Sequence, residues 1–191
     1  MKIGGLQKLS LIDYPGKTCA VIFTQGCNFR CSYCHNPELV YPEFFAEPIP
    51  FEHVYEFLKT KAGLLDGVVF SGGEPTLQED LIDRIQDVRS LGHAVKLDTN
   101  GSNPDILSVV LPYLDYVAMD IKAPIGDKYA RVCGTPVDDY NIRVSIFLIK
   151  ASGIRHEFRT TFYKRLLESA DIIKIKNLIG KSRFTLQNVS I

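Results

Sequence analysis

The sequence carries no excess charge of either sign: Lys and Arg total 22, Asp and Glu total 22, and the formal net charge is zero. A chain that grips a phosphate backbone needs a cationic surplus, so nucleic acid is not expected as a partner. Long apolar runs are also missing. The opening MKIGGLQKLSLIDYPGK has no continuous stretch of signal-peptide length, and no later segment approaches membrane-spanning length. A cytoplasmic protein with no membrane partner is therefore expected. Low-complexity segments and short-period repeats are absent. Cysteine is scarce and odd in number, at five: Cys19, Cys27, Cys31, Cys34 and Cys133. Three of these fall within GCNFRCSYCHNPE, Gly26 to Glu38, and in a reducing compartment such a set points to metal ligation before disulfides.

What is there is enough for one core. At 191 residues and 46% hydrophobic content, the chain is read as a single domain spanning 1–191. Short runs rich in Val, Ile and Phe alternate with segments of helical period. The strand candidates are TCAVIFTQG, GVVFSGG, AVKLDTNG, YVAMDIK, HEFRTTF and FTLQ. Helices are expected over Phe51 to Ala62, Leu77 to Ser90, after Asn103-Pro104, over Val137 to Ser152, and between the last two strands. KAPIGDKYARVCGTP reads as a loop. Six strands separated by helices imply parallel β/α units, in an open doubly wound sheet or a closed or partial barrel. Either arrangement places ligands at the C-terminal ends of strands. The unusual residues fall there repeatedly: the three cysteines after the first strand, Gly72-Gly73-Glu74 after the second, Asp98-Thr99-Asn100 at the third, Asp120 and Lys122 at the fourth, and Arg159 to Thr161 in the fifth.

Thiolates are soft ligands for zinc or iron–sulfur clusters. Zinc normally takes a fourth Cys or His, and here His35 adjoins Cys34 awkwardly, Cys19 sits inside a strand and Cys133 is distant in sequence. A four-iron cluster held by three thiolates leaves one iron open to a substrate or cofactor. Zinc ligation and simple burial remain the alternatives for these thiols.

The CxxxCxxC spacing of Cys27, Cys31 and Cys34 resembles the signature of the radical S-adenosylmethionine (SAM) enzymes, and SGGEP matches that family's second motif. The segment from Gly5 to Leu39, with DTNG and MDIK, resembles the branch that activates glycyl radical enzymes, especially the activators of anaerobic ribonucleoside-triphosphate reductase. The resemblance implies an α/β fold, a partial (β/α)6 TIM-like barrel of parallel strands open at one side. It implies a [4Fe–4S] cluster on Cys27, Cys31 and Cys34 whose fourth iron is chelated by SAM. It also implies reductive cleavage of SAM to a 5′-deoxyadenosyl radical, which takes hydrogen from a glycine Cα of the partner enzyme. Around SAM it places Gly72, Gly73, Glu74, Asp98, Thr99, Asp120 and Lys122, with Tyr33 against the adenine. In some relatives a monovalent cation lies near the same carboxylates, and it is carried here as an expected ligand. A flavodoxin- or ferredoxin-type protein is the expected electron donor.

Arg159 joins this set by alternation, since Glu157, Arg159 and Thr161 share one strand face. Ordinary alternatives stand beside several assignments: a Gly/Pro turn for GGEP, a helix-start turn for Asp98 to Gly101, a strand-end ion pair for Asp120 and Lys122, loop packing for Tyr33. His53 and His93 read as structural or solvated, Cys19 as a core residue and Cys133 as a loop thiol. Alternatives for the activity are a pyruvate formate-lyase-type activator, a radical SAM enzyme acting on a small molecule such as a deazapurine precursor, and a zinc-binding module.

Overall fold

The runs CAVIF, VVF and YVAM are apolar at every position, the mark of strands covered on both faces. The computed structural model describes residues 1–188. Seven strands form one sheet in sequence order: β1 (Ile3–Ser10), β2 (Cys19–Thr24), β3 (Gly67–Gly72), β4 (Ala94–Thr99), β5 (Tyr116–Asp120), β6 (Arg155–Phe162) and β7 (Phe184–Asn188). β1 runs antiparallel to β2; every later pairing is parallel. Among the described residues the sheet does not close, and β1 and β7 are its two edges. The six expected strands are β2 to β7, and the expected partial barrel is the fold observed.

Among the described residues, six α-helices connect the strands: α1 (Phe51–Thr60), α2 (Leu81–Ser90), α3 (Pro104–Val110), α4 (Asp127–Cys133), α5 (Asp139–Ala151) and α6 (Ser169–Ile179). Alternation divides the strand side chains between two environments. Ile22, Phe70, Leu97, Met119 and Phe158 face outward and share the main core with Leu58, Ile85, Leu107, Ile146 and Ile175 of the helices. Cys19, Val21, Val69, Tyr116 and Ala118 face inward and form a second cluster with Tyr14. Tyr14 reaches in from the β1–β2 loop, 1% exposed, with its ring 5.9 Å from that of Tyr116. This apolar floor fills the N-terminal end of the barrel. Toward the C-terminal end the same inward positions become Lys96, Asp98, Asp120 and Arg159.

Three local expectations are corrected. β1 was not anticipated, because GGLQK hides its period behind glycines and polar residues; pairing with β2 makes it a strand. The segment read as a loop around Cys133 contains α4, which buries Tyr129, Val132 and Cys133 and ends at Gly134 with φ +65°. Cys133 is thus a core residue, wholly buried, and not a loop thiol. α2 begins at Leu81 rather than Leu77, because Pro75–Leu77 form a separate 3-10 turn whose Thr76 N–H is held by the Glu74 side chain.

Tyr14→Ala should lower stability by about 3 kcal/mol in a denaturant titration, because it empties a ring-sized volume in the floor. Tyr14→Phe should lose much less.

Candidate active site

The loop after β2 is held in shape by its own backbone and by α4. Cys34 N–H donates to the Cys31 carbonyl at 3.0 Å, and Arg30 N–H donates to the Cys133 carbonyl at 2.7 Å. The Arg30 guanidinium donates back to the Cys27 carbonyl at 2.5 Å and lies over the Tyr41 ring. Phe29 is buried against Tyr129 of α4, ring to ring at 6.5 Å. Cys27, Cys31 and Cys34 are therefore half-buried on an ordered loop.

Their electrostatic settings differ. Burial pushes the Cys27 thiol up to about 11, although Phe29 N–H points at its sulfur from 3.4 Å and the Asn100 amide from 4.0 Å. The neighbouring Cys133 thiol and the Lys122 ammonium pull Cys31 the other way, below the ordinary thiol range and against its burial.

The turn after β3 is sewn onto the start of this loop. Gly73 N–H donates to the Thr24 carbonyl and Glu74 N–H to the Gly26 carbonyl, each at 2.8 Å. A Cβ on Gly73 would overlap the Gly26 carbonyl. On Gly72, whose φ is +107°, it would overlap the Thr24 backbone. Both glycines are thus required by close backbone approach. The Glu74 carboxylate is fully buried and accepts four hydrogen bonds: from Thr76 N–H (3.1 Å) and Thr76 hydroxyl (2.6 Å), Thr99 hydroxyl (2.8 Å) and Asn100 N–H (2.6 Å). It ties β3 to the end of β4, while burial raises its pKa.

Beyond it a ladder of charges crosses the ends of β4, β5 and β6. Lys96, 1% exposed with its amine over the Tyr116 ring, bonds to Asp98. Asp98 also accepts from the Ser71 hydroxyl (3.1 Å) and from Arg159 Nη1 (3.2 Å). Arg159 Nε donates to Asp120 at 2.8 Å, and Lys122 Nζ donates to the other Asp120 oxygen at 3.1 Å. Burial would raise the pKa of Asp120, but Arg159 and Lys122 outweigh it and hold the carboxyl well below its usual range. The same pairing keeps Lys122 and Arg159 charged despite their burial.

Cys27, Cys31, Cys34, Tyr33, Gly72, Gly73, Glu74, Asp98, Thr99, Asp120, Lys122 and Arg159 all line one cavity of about 380 Å³ at the C-terminal rim. That is the size of a small-ligand site. Tyr33 is 4% exposed, lies 6.0 Å from the Tyr163 ring, and its hydroxyl has no partner among the described residues. The donor set suits an iron–sulfur cluster: three thiols on one loop, N–H groups aimed at sulfur, and a cation nearby to offset thiolate charge. Among the described residues, no three His, Cys, Asp or Glu side chains gather round a common point as the ligands of one metal ion do.

The family model of the radical SAM superfamily matches residues 21–174, and the chain belongs to that superfamily. Within it the chain falls among the glycyl-radical-enzyme activating enzymes. A Methanocaldococcus jannaschii protein named for glycyl-radical enzyme activation is 35% identical over 93% of this chain and 75% of its own length. The pyruvate formate-lyase-activating enzyme of Clostridium pasteurianum is 31% identical over 95% of this chain and 77% of its own. Among solved structures, Streptococcus suis SuiB bound to S-adenosylmethionine superposes with a TM-score of 0.72, at 17% identity, over 90% of this chain and 40% of that one. That likeness is one of fold. The family implies a [4Fe–4S] cluster and SAM as cofactors.

Sequence reasoning missed Lys96, whose only signal was its alternation with Asp98 in VKLDT. It missed the place of Cys133 too, although Tyr129, Val132 and Cys133 followed by Gly134 carry the spacing and stop signal of a helix end. His93 is structural, buried with its two ring nitrogens each 3.1 Å from a carbonyl; His53 is exposed.

Gly73→Ala should cost about 1–3 kcal/mol through overpacking, measured by chemical denaturation. The lowered Asp120 pKa gives a signed pH dependence. Its contribution to stability is fully present above the ordinary carboxylate pKa of about 4 and is lost as pH falls toward the lower folded value. Asp120→Asn should therefore flatten the acid limb of a stability–pH curve; an unchanged limb would contradict the ion pairing.

Proposed function

We propose that the chain activates a glycyl radical enzyme, most closely the anaerobic ribonucleoside-triphosphate reductase, with Cys27, Cys31 and Cys34 as cluster ligands. Tyr33, Gly72, Gly73, Glu74, Asp98, Thr99, Asp120, Lys122 and Arg159 form the SAM pocket in this reading. The observation that carries it is the convergence of all twelve residues, drawn from five strand ends, on one cavity. When bound, the cluster and SAM supply a one-electron cleavage of the sulfonium and a carbon-centred radical.

The chain's own residues have separable tasks. The thiolates hold iron, and Lys122 offsets part of their charge. Gly72 and Gly73 keep the β3 turn close to the cysteine loop without a side chain intervening. Glu74 spends its acceptors on Thr76, Thr99 and Asn100, so it acts by holding the β3 and β4 turns together. Asp98 and Asp120, held apart by the Arg159 guanidinium, orient polar groups of the ligand. Their ladder pairs Lys96, Arg159 and Lys122 with two carboxylates, and the Arg159 guanidinium and Lys122 ammonium line the cavity where a ligand carboxylate could meet them. A monovalent cation would have to compete with Arg159 for the same two carboxylates.

A protein loop as substrate fits a cavity opening on the barrel rim. Support for ribonucleotide reductase as the partner is the likeness of Gly5 to Leu39 to its activators. A pyruvate formate-lyase-type partner is the second reading, favoured by the Clostridium relative. A flavodoxin- or ferredoxin-type donor in the cytoplasm completes the proposal. Among the described residues, no helix is long and apolar enough to cross a membrane.

The partner is tested by incubating the reduced, reconstituted protein and SAM with each candidate enzyme and looking for a glycyl radical by electron paramagnetic resonance. A signal with the reductase alone supports the first reading, and one with the lyase alone replaces it. Cys27→Ala, Cys31→Ala and Cys34→Ala should each abolish 5′-deoxyadenosine formation; turnover in any of them contradicts the cluster assignment. Asp98→Asn should weaken SAM binding by roughly tenfold, the loss of about one charged hydrogen bond, with iron content unchanged.

A further inference from the structure

Lys96 has no task in the proposed reaction, yet burying a lysine in a barrel interior is costly. In the sheet register it lies between Val69 of β3 and Tyr116 of β5, both residues of the apolar floor, and it is 1% exposed. An ammonium so placed is tolerated only where a carboxylate meets it with a hydrogen bond. Asp98 Oδ1 does so. The other Asp98 oxygen, Oδ2, accepts from the Ser71 hydroxyl at 3.1 Å and from Arg159 Nη1 at 3.2 Å. On Asp120, Oδ1 accepts from Arg159 Nε at 2.8 Å and Oδ2 from Lys122 Nζ at 3.1 Å. All four carboxylate oxygens are thus engaged by donors of the chain itself. Asp98, Asp120, Arg159 and Lys122 line the cavity, whereas Lys96 lies behind Asp98 on the floor side.

We infer that Lys96 is the resident counter-cation of Asp98, a positioning residue that, together with Arg159, makes SAM binding independent of added sodium or potassium. This rests on the reading of Asp98 and Asp120 as part of the SAM pocket, and it departs from the monovalent cation expected near the same carboxylates. An alkali ion, like other hard cations, takes oxygen ligands. Here it would have to displace an ammonium or a guanidinium already set on each oxygen. Lys96 supplies the same single charge from inside the barrel, tethered to β4, so the charge stays on Asp98 whatever salt surrounds the protein. Its effect on the ligand passes through Asp98, whose Oδ1 it holds toward the floor while Oδ2 meets Ser71 and Arg159.

The test measures SAM affinity by equilibrium dialysis in choline, sodium and potassium chloride at one ionic strength. Wild type, Lys96→Met and Lys96→Ala are reconstituted anaerobically and compared at equal iron and sulfide content. Wild-type affinity should be the same in all three salts. Tighter wild-type binding in sodium or potassium than in choline overturns the inference, and that comparison needs no variant to fold. Lys96→Met keeps the stem and removes the charge, so in choline it should bind SAM roughly tenfold more weakly, the loss of about one charged hydrogen bond. Affinity equal to wild type overturns the inference. Lys96→Ala should be as weak in choline and should regain affinity, saturably, when potassium or ethylammonium is added. An iron-loaded Ala variant that no added cation restores also overturns it, since Lys96 would then serve packing alone. A wild-type protein with a full cluster that binds SAM in none of the salts overturns the SAM-pocket reading, and this inference with it.

Discussion

The constraint on which the upper barrel depends is the half-buried guanidinium of Arg159. It spans Asp98 and Asp120, at 3.2 and 2.8 Å, and so links the C-terminal ends of β4, β5 and β6. Taking these charges from water is costly, and each survives because its neighbours are of opposite sign. Removing one member would leave its neighbours partly buried and short of a partner, which makes the ladder behave as a unit. Lys96 anchors its lower end on the aromatic floor, and Lys122 carries its upper end to the thiol loop. The barrel interior thus changes from apolar to ionic within one or two strand residues, and the cavity begins at that boundary.

A second constraint acts through backbone alone. The turns after β2 and β3 meet where Gly73 N–H bonds to the Thr24 carbonyl and Glu74 N–H to the Gly26 carbonyl, with no room for a side chain on Gly73. Glu74 extends the junction to Thr99 and Asn100, and Asn100 in turn reaches Cys27 and Asn28. A change in the β4 turn would therefore be felt at the cysteines. The chain belongs to the glycyl-radical-enzyme activating branch of the radical SAM superfamily, and the function proposed for it puts the chemistry where these three turns converge.

Residue by residue, the sequence was most legible where chemistry is written in spacing. CxxxCxxC marks a candidate ligand loop whatever the fold, and SGGEP marks a turn needing glycine. The strands β2 to β7 were legible because each is a short run of strand-forming residues between helical periods. β1 was not, because only its pairing with β2 makes a strand of GGLQK. α4 was obscured by Pro and Gly on both sides, although its apolar spacing was present.

Composition, motif and period by themselves determined the parallel β/α order, the three thiols and the polar residues at strand ends. Only the tertiary structure decided which of those polar groups are free to meet a ligand. Spacing cannot say that Glu74 has spent its acceptors within the protein, that Arg159 lies between two carboxylates, or that the carbonyl of Cys133, just over a hundred positions further along the chain, accepts the Arg30 N–H beside Cys31. Those facts depend on strand register and on where a helix docks, and both follow from packing across the whole sheet rather than from any local stretch of chain.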